Sequence, residues 1–505
     1  MKILKRLLVL AVAGAIVVST AACGSNGGKK GDSKDYDLLV KYYSGAYGDD
    51  WIKLAAEEFE KEKDVSVQIV PSSDMDCGAE NNLTAGKNLA DVYIGSSNRW
   101  QSWVQNGDVE NLKSVYDSTV KTSKGDVKIS EYIDPDVVGR CYIERQVGTG
   151  DSYPWIVPFT AMPMSLAYNN DVLKKIPHTS SASVSAESVD ASTNKWIAPP
   201  KNLTEWLALC DDVNAYKSDD KHKYVPFGWS ALASEQVYYF LFTWWAQYQG
   251  LFDSNVAGQG SFYDFWNFGN TSKTTLDQTF SSNVFDQKGI AASLDNFKKL
   301  VIDSKGNYKN SLSAVNTIST QELTRALYAE RNEERPVIAF ASSFGESEAR
   351  LTGVLDSDSD GKQDSDIRFM NIPALDGHEN EKYLYCAYDD FMFVPSGAAH
   401  KDLAKEFLAF LCSEDQLKKF TVRSGGGIRP FGYDAREIED DSLTKYNKSV
   451  FDVYYNSTKV YDFPLKAYKE SPYAVSLIWQ TFAGIFPMLL NLLILQIRLH
   501  LLQLL

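Results

Sequence analysis

Two periods of hydrophobic placement alternate along the chain, and their order outlines a fold. Tyr36 to Tyr43 alternates loosely, as a first strand does. Trp51, Leu54, Ala55 and Phe59 then share one helical face, with Asp49 or Asp50 expected to cap that helix through a short carboxylate. Val65, Val67 and Ile69 alternate again, as a strand ended by Pro71. Strand, helix, strand opens an α/β unit. The run from Ala90 to Ile94 reads as a short buried strand entering the polar turn Gly95-Ser96-Ser97-Asn98-Arg99. A helix is expected from about Arg99 to Gln105, with Gly107 as its stop. In open α/β sheets ligands bind beyond the carboxyl ends of strands, so Ser96 to Trp100 stand where a site belongs.

The stretch from Tyr153 to Asn170 breaks this rhythm. Pro154, Pro158 and Pro163 exclude a helix and disfavour a central strand over its first part, while Ser165 to Tyr168 is strand-like. Rings at Tyr153, Trp155 and Phe159 therefore sit on backbone that a ladder cannot fully pair. Such a segment fits a chain crossing between two lobes past a ligand cleft, or an aromatic loop on one domain. Beyond it, Asn170-Asp171 is placed to cap a short helix ended by Pro177. Residues 178–194 are Ser/Ala-rich and poorly patterned, which predicts an exposed loop. Asn202 or Thr204 is placed to cap the helix that carries Trp206.

Length and composition narrow the class. A chain of 505 residues can form two or three domains with real cores. Lys2, Lys5 and Arg6, an apolar run from Leu7 to Val18, and small residues up to Ala22 describe a secretory signal peptide rather than a membrane span. Cys23-Gly24-Ser25 at the cut resembles a bacterial lipobox, although Thr20 stands where Leu is preferred. The resemblance implies lipidation of Cys23 and a stable anchor from two acyl chains; plain secretion is the alternative. Residues 23–35 then form a flexible tether. Without residues 1–22 the chain holds 48 basic and 66 acidic side chains, a net −18, which argues against nucleic acid as a partner. Cys77, Cys141, Cys210, Cys386 and Cys412 are odd in number and widely spaced, so no disulfide framework is expected. Cys210 and Cys412 fall in amphipathic runs and are expected in the core. The five histidines are scattered, and there is no His-Glu-x-x-His, Gly-x-Ser-x-Gly or Walker pattern.

The order of several segments is recognisable. The Asp-Val strand at 91–92, the Tyr-Pro segment ending in Tyr168-Asn169-Asn170-Asp171, and the helix start Pro200-Lys201-Asn202-Leu203-Thr204-Glu205-Trp206 are followed by Arg335 to Phe344, by Asn371 to Gly377, by Phe391 to Gly397, and by Gly425-Gly426-Gly427-Ile428-Arg429-Pro430. Together these resemble the extracellular solute-binding proteins of ABC importers, in the maltodextrin and oligosaccharide branch, from about Tyr36 to Ile485. The resemblance implies an α/β, two-lobed periplasmic-binding-protein-like fold with hinge crossings and a ligand cleft between the lobes. It implies residues 36–158 with 389–445 as lobe one, and 159–388 with 446–485 as lobe two. Crossings are expected near 153–168, 389–395 and 446–453.

It also implies a monomer that binds a carbohydrate, meets ABC permease subunits and performs no catalysis. A non-sugar solute (a polyol phosphate or a peptide) and a secreted glycoside hydrolase are the other readings. Implied ligand-binding positions are Asn98, Arg99 and Trp155, then Trp229, Glu235, Tyr238, Ser343 and Phe344, and finally Trp479. The family has Trp before the Asn98-Arg99 turn where this chain has Gly95, so its sugar stacking must differ. The aromatic crowd from Trp229 to Trp266 is otherwise expected to be mostly core.

Two stretches fall outside the resemblance. In 356–366, Asp356, Asp358, Asp360 and Asp364 occupy positions one, three, five and nine of a calcium-loop pattern, with Gly361 at six. Position twelve is Ile367, without the bidentate Glu, so the stretch reads as a structural calcium site or a solvated acidic turn. No other cofactor is expected. The Leu/Ile-rich tail at 486–505 is interrupted by polar residues and is anomalous for the family.

Overall fold

The computed structural model describes residues 36–460 except 46, 88, 98, 147–148, 218–222, 232–234, 267–286, 329–333, 352–364 and 388–389. Cys23, Asn98, Trp479, the acidic positions Asp356, Asp358, Asp360 and Asp364, and the tail at 486–505 lie outside the described residues, as does the side chain of Glu235.

In chain order, β1 (Leu38–Tyr43) leads through α1 (Asp50–Lys63) to β2 (Val67–Ser72), and α2 (Ala79–Ala85) precedes β3 (Val92–Ser96) and α3 (Trp100–Asn106). β4 (Val157–Pro158) and β5 (Met162–Asn169) follow, then α4 (Leu203–Ala215), β6 (Lys223–Gly228) and α5 (Glu235–Gln249). The remaining elements used below are β7 (Glu334–Ser342), α6 (Gly345–Leu351), β8 (Ile367–Met370), β9 (Tyr383–Ala387), β10 (Asp390–Phe393), α7 (Lys401–Leu411), α8 (Glu414–Arg423), α9 (Lys445–Tyr455) and β11 (Thr458–Val460).

These strands form two main sheets. The first has the order β2-β1-β3-β10-β4, with β1 parallel to β2 and β3, and β10 antiparallel to its neighbours. In the second, β6 runs parallel to β7, and β7, β8 and β9 all pair antiparallel with β5; β11 lies beside β9. The chain passes from the first sheet to the second between Pro158 and Met162, and back between Ala387 and Asp390. Register then fixes what faces the crossings. Ser96 at the end of β3 opposes Asp390, and Ser342 at the end of β7 opposes Met164 near the start of β5. The carboxyl ends of parallel strands in both sheets therefore point at the same seam.

Most local expectations hold, with instructive shifts. The strand after the crossing begins at Met162 and includes Pro163, earlier than Ser165. Asp49 stands at the start of α1 without capping it; its carboxylate pairs instead with Lys53, 2.7 Å away. Asn202 caps α4 by accepting from the Glu205 N–H, and Gly107 ends α3. Asn169, not Asn170, caps the short helix at Asn170–Leu173. Cys77, Cys141, Cys210, Cys386 and Cys412 are free and buried, which puts Cys210 and Cys412 in the core as expected and adds the other three. Gly426 closes α8, with a positive φ of 98° and its N–H on the Thr421 carbonyl at 2.8 Å, so the glycine run ends a helix.

The segment at 178–194 is a mostly exposed loop, as expected, but it is pinned at several points. Glu205 and Asp212 lie two helical turns apart on one face of α4, and both are buried. Asp212 accepts from His178 Nδ1, Thr179 N, Thr179 Oγ1, Ser180 N and Trp196 Nε1 at 2.7–2.9 Å. Glu205 accepts from Ser185 N, Ser188 Oγ and Lys201 N, each at 2.9 Å. Polar donors spaced along a Ser-rich stretch can satisfy buried carboxylates, and this ordering is invisible to hydrophobic periodicity.

Candidate functional site

At the seam between the sheets, side chains from both lobes meet. Lobe one contributes Tyr43 from the end of β1 and Tyr47 just before α1. Lobe two contributes Ser343 and Phe344 from the end of β7, and Glu348 from α6. The Tyr47 ring stands edge-on to Phe344, with centroids 6.0 Å apart, and to Phe420 of α8 at 5.6 Å. Beneath it lies an aromatic floor: Phe420 packs edge-on to Trp51 (5.0 Å) and Phe159 (5.3 Å), and Trp51 stacks on Phe159 at 5.1 Å. Trp51 Nε1 donates to the Tyr42 hydroxyl at 2.9 Å, which locks the floor in place.

Backbone and side-chain bonds hold the lobe-two wall. Ser343 N donates to Pro163 O at 2.8 Å, and the Tyr446 hydroxyl of α9 donates to Ser342 O at 2.6 Å. Thr444 Oγ1 donates to Glu346 at 2.6 Å, and Arg350 Nη2 donates to the other Glu346 oxygen at 3.1 Å. The Tyr47 hydroxyl and Ser343 Oγ come from opposite lobes and lie near each other. Both are buried; the serine hydroxyl stands close enough to lower the burial-raised Tyr47 pKa, although neither atom meets a partner in full hydrogen-bonding geometry. Buried polar groups are otherwise nearly always paired, so these two are candidate hooks for a ligand hydroxyl.

Carboxyl groups gather at the same place, and burial pushes two of them toward their neutral form. Burial raises the Tyr43 and Tyr47 hydroxyls above their usual range, and the carboxylates of Asp390 and Glu348 add to both shifts. Burial alone pushes the Glu348 carboxyl up to about 7. Glu346 is also raised by burial, against the opposing pull of Thr444 and Arg350. Asp390 accepts from Thr160 Oγ1 at 3.0 Å, at the crossing itself.

The sequence-derived positions separate on this geometry. Ser343 and Phe344 come together with Tyr47. Arg99 stands beyond the end of β3, largely exposed, with its guanidinium 2.9 Å from Glu80; the other Glu80 oxygen takes Trp103 Nε1 at 2.6 Å. Trp155 precedes β4, and β4 pairs with a β10 that starts at the seam, so Trp155 sits toward the far end of the lobe-one sheet. There it donates from Nε1 to Ile143 O at 2.9 Å and borders a surface hollow of about 410 Å³ with Tyr153, Glu110 and Arg145. Trp229 is buried between Phe297 and Tyr308, and Tyr238 is buried on α5 beside Phe242.

Gly95 now has a cause. A Cβ there would lie 2.3 Å from the Met75 carbonyl, which accepts from Ser96 N at 2.8 Å, so no ring fits at that strand position. Tyr43, Tyr47, Glu348 and Asp390 were not singled out from the sequence. Tyr47 carries one faint signal, a polar glycine-bearing turn directly after the first strand.

Two α/β lobes, joined by crossing strands with a seam between sheet ends, define a two-domain solute-binding architecture. The chain belongs to the bacterial extracellular solute-binding proteins, whose family profile matches residues 44–418. Among solved structures it is similar to a chitin oligosaccharide binding protein, at 14% identity and a TM-score of 0.55, over 91% of this chain and 95% of that one. It is also similar to RafE in complex with raffinose, at 12% identity and a TM-score of 0.52, over 85% and 90% of the two chains. A third is the Listeria monocytogenes substrate-binding protein Lmo0181 in complex with cycloalternan, at 11% identity and a TM-score of 0.51, over 85% and 89%. No curated protein matches the chain in sequence. Among the described residues, no three His, Cys, Asp or Glu side chains gather as a metal site, and no helix is long and apolar enough to cross a membrane.

Proposed function

We propose that the chain captures a carbohydrate between its lobes, outside the cell, and delivers it to the permease of an ABC importer without chemically altering it. One observation carries this reading: Tyr47 with Tyr43, and Ser343 with Phe344, converge from two sheets onto one seam and present rings beside unpaired hydroxyls. Sugars offer apolar C–H faces to rings and hydroxyls to polar groups, which is the chemistry such a seam can meet. The family and the sugar ligands of the three structural neighbours support the same class. Thin crossings allow rigid-body closure, and a ligand drives closure only by contacting the closed state better than the open one.

Tryptophan fluorescence and calorimetry against N-acetylchitotriose, raffinose, maltotriose and a cyclic glucan test this. Saturable binding of at least one is expected, with compaction in small-angle scattering. Phe344→Ala should then weaken binding about fivefold or more, since losing one packed ring costs roughly 1–3 kcal/mol. Absence of binding across a broad sugar panel would sink the reading, and a hydrolysis product in the binding mixture would overturn its non-enzymatic part.

The anchor is a separate part of the proposal. Lipidation at Cys23 predicts that Cys23→Ser leaves the precursor uncut or releases the protein from the membrane fraction. A processed serine variant that stays membrane-bound would refute it.

A further inference from the structure

We propose that Met75 is a ligand-contacting residue, the apolar platform of the lobe-one wall, on which a sugar ring lays its C–H face opposite Phe344. This rests on the sugar reading and adds to it a residue that shapes which ligands the cleft accepts. The first sheet brings three carboxyl ends to one edge, because β1 lies between β2 and β3 and runs parallel to both. Tyr43 pairs with Ser72, and Tyr42 pairs with Ile94, so Tyr43 leaves the sheet beside Gly95. Ligands of open α/β sheets bind beyond such ends. Residues 73–78 span this edge, from the end of β2 to the end of β3.

The span is fastened along its length. Ser44 N donates to Ser72 O, and Asp74 N to Ser72 Oγ, both at 3.1 Å. Met75 O accepts from Ser96 N at 2.8 Å, and Cys77 Sγ reaches Ile94 O at 3.4 Å. Asp76 then accepts from Gly78 N at 2.9 Å and Glu80 N at 3.2 Å, which sets the turn into α2. Cys77 holds a left-handed backbone, φ 57°, which a residue with a Cβ keeps only where its surroundings enforce it. The backbone of Met75 is thus fixed at the end of β3, one strand from Tyr43. Ser96, which fastens it there, opposes Asp390 beside the return crossing.

Met75 itself stays outside the core, at 58% exposure, while Cys77 beside it is buried. Exposure of one apolar side chain means little alone; Phe252 is 63% exposed on lobe two. Phe252, however, follows α5, whose Gln247 donates to Glu381 O ahead of β9, at the end of that sheet away from the crossing. Met75 stands at strand ends that border the seam, beside Tyr43. Gly95 makes room for it, since a Cβ there would meet the Met75 carbonyl at 2.3 Å and displace the span. A thioether is flexible and polarisable, so it follows the contours of different sugar faces where a rigid ring would demand one.

Calorimetry on the full mature protein tests the inference, with whichever of N-acetylchitotriose, raffinose, maltotriose and a cyclic glucan binds wild type most tightly. Met75→Ala should weaken that affinity about fivefold or more. Met75→Gln, similar in length but polar, should weaken it as much, and Met75→Leu should recover most of the loss. Thermal midpoints should stay with wild type, because the bonds that hold the span use the backbone of Met75. Phe252→Ala should leave affinity unchanged. In protein carrying isotope-labelled methionine methyls, the signal that Met75→Leu removes should be one that moves when sugar is added. Unchanged affinity in Met75→Ala, or a Met75 methyl signal that stays still, overturns the inference and leaves the sugar reading standing, since wild-type binding is measured alongside. No sugar bound by wild type overturns both.

Discussion

Arg429→Ala is expected to lower the unfolding free energy by about 3–5 kcal/mol, read as a shift of the urea midpoint by circular dichroism. Arg429 is 1% exposed, a charged side chain placed under the crossing. Its Nε donates to Phe159 O at 3.0 Å and its Nη1 to Leu411 O, tying the first crossing to the end of α7. The guanidinium also lies over Phe159 and Phe431, at 5.5 and 5.0 Å from their centroids. Burial depresses its pKa, which shows the desolvation cost that these contacts offset. Truncation leaves two buried carbonyls without a donor, at roughly 1–3 kcal/mol each, and opens a cavity as well. Arg429→Lys should recover only part of the loss, because one ammonium cannot reach both carbonyls and cover both rings. A loss under about 1 kcal/mol in the alanine variant would show that the crossing does not depend on this residue.

Asp212→Ala should cost a similar amount, about 3–5 kcal/mol, and should expose residues 178–198 to protease long before global unfolding. Five donors converge on this one carboxylate, and its side chain is 0% exposed. Burial pushes its pKa up, but the bonds from His178, Thr179, Trp196 and Ser180 outweigh burial and hold it below the ordinary 3.8. Glu205 is likewise held below 4.5, with burial opposed by bonds from Lys201, Ser185 and Ser188. The sign follows from these shifts. The folded state binds these protons less tightly than the unfolded state, so the stabilisation is complete above the unfolded pKa values and is lost as pH falls through the folded ones. Wild type should therefore lose stability steeply below about pH 4, and Asp212→Asn should flatten that slope. Equal acid sensitivity in the two proteins would remove Asp212 as its source.

How much of this was legible beforehand depends on the kind of interaction. Amphipathic runs such as Trp51 to Phe59, the buried run before Gly95, and the Asn202 cap are local, and each appears at or near its expected position. The expected cap at Asp49 fails because a nearby lysine competes for its carboxylate. The loop at 178–194 could not be foreseen as ordered. Its restraint comes from two carboxylates on a later helix, and those donors carry no hydrophobic period.

The candidate site shows the same division more sharply. Sequence alone determined the two-period order, the breaks at Pro154 and Pro158 and the strand end near Ser96, which follow from spacing and backbone chemistry within short windows; the cleft-facing strand end near Ser342 and the family rested on the resemblance of the ordered segments. Only the tertiary structure decided which rings face the seam. Trp155, Trp229 and Tyr238 look like cleft aromatics along the chain, yet strand register carries the first toward the far end of its sheet, and packing buries the other two. Tyr47 becomes central because the end of β7 brings Phe344 and Ser343 against it across nearly three hundred residues of chain. Contacts of that separation are fixed by how two sheets meet at their crossings, and no local pattern encodes that meeting.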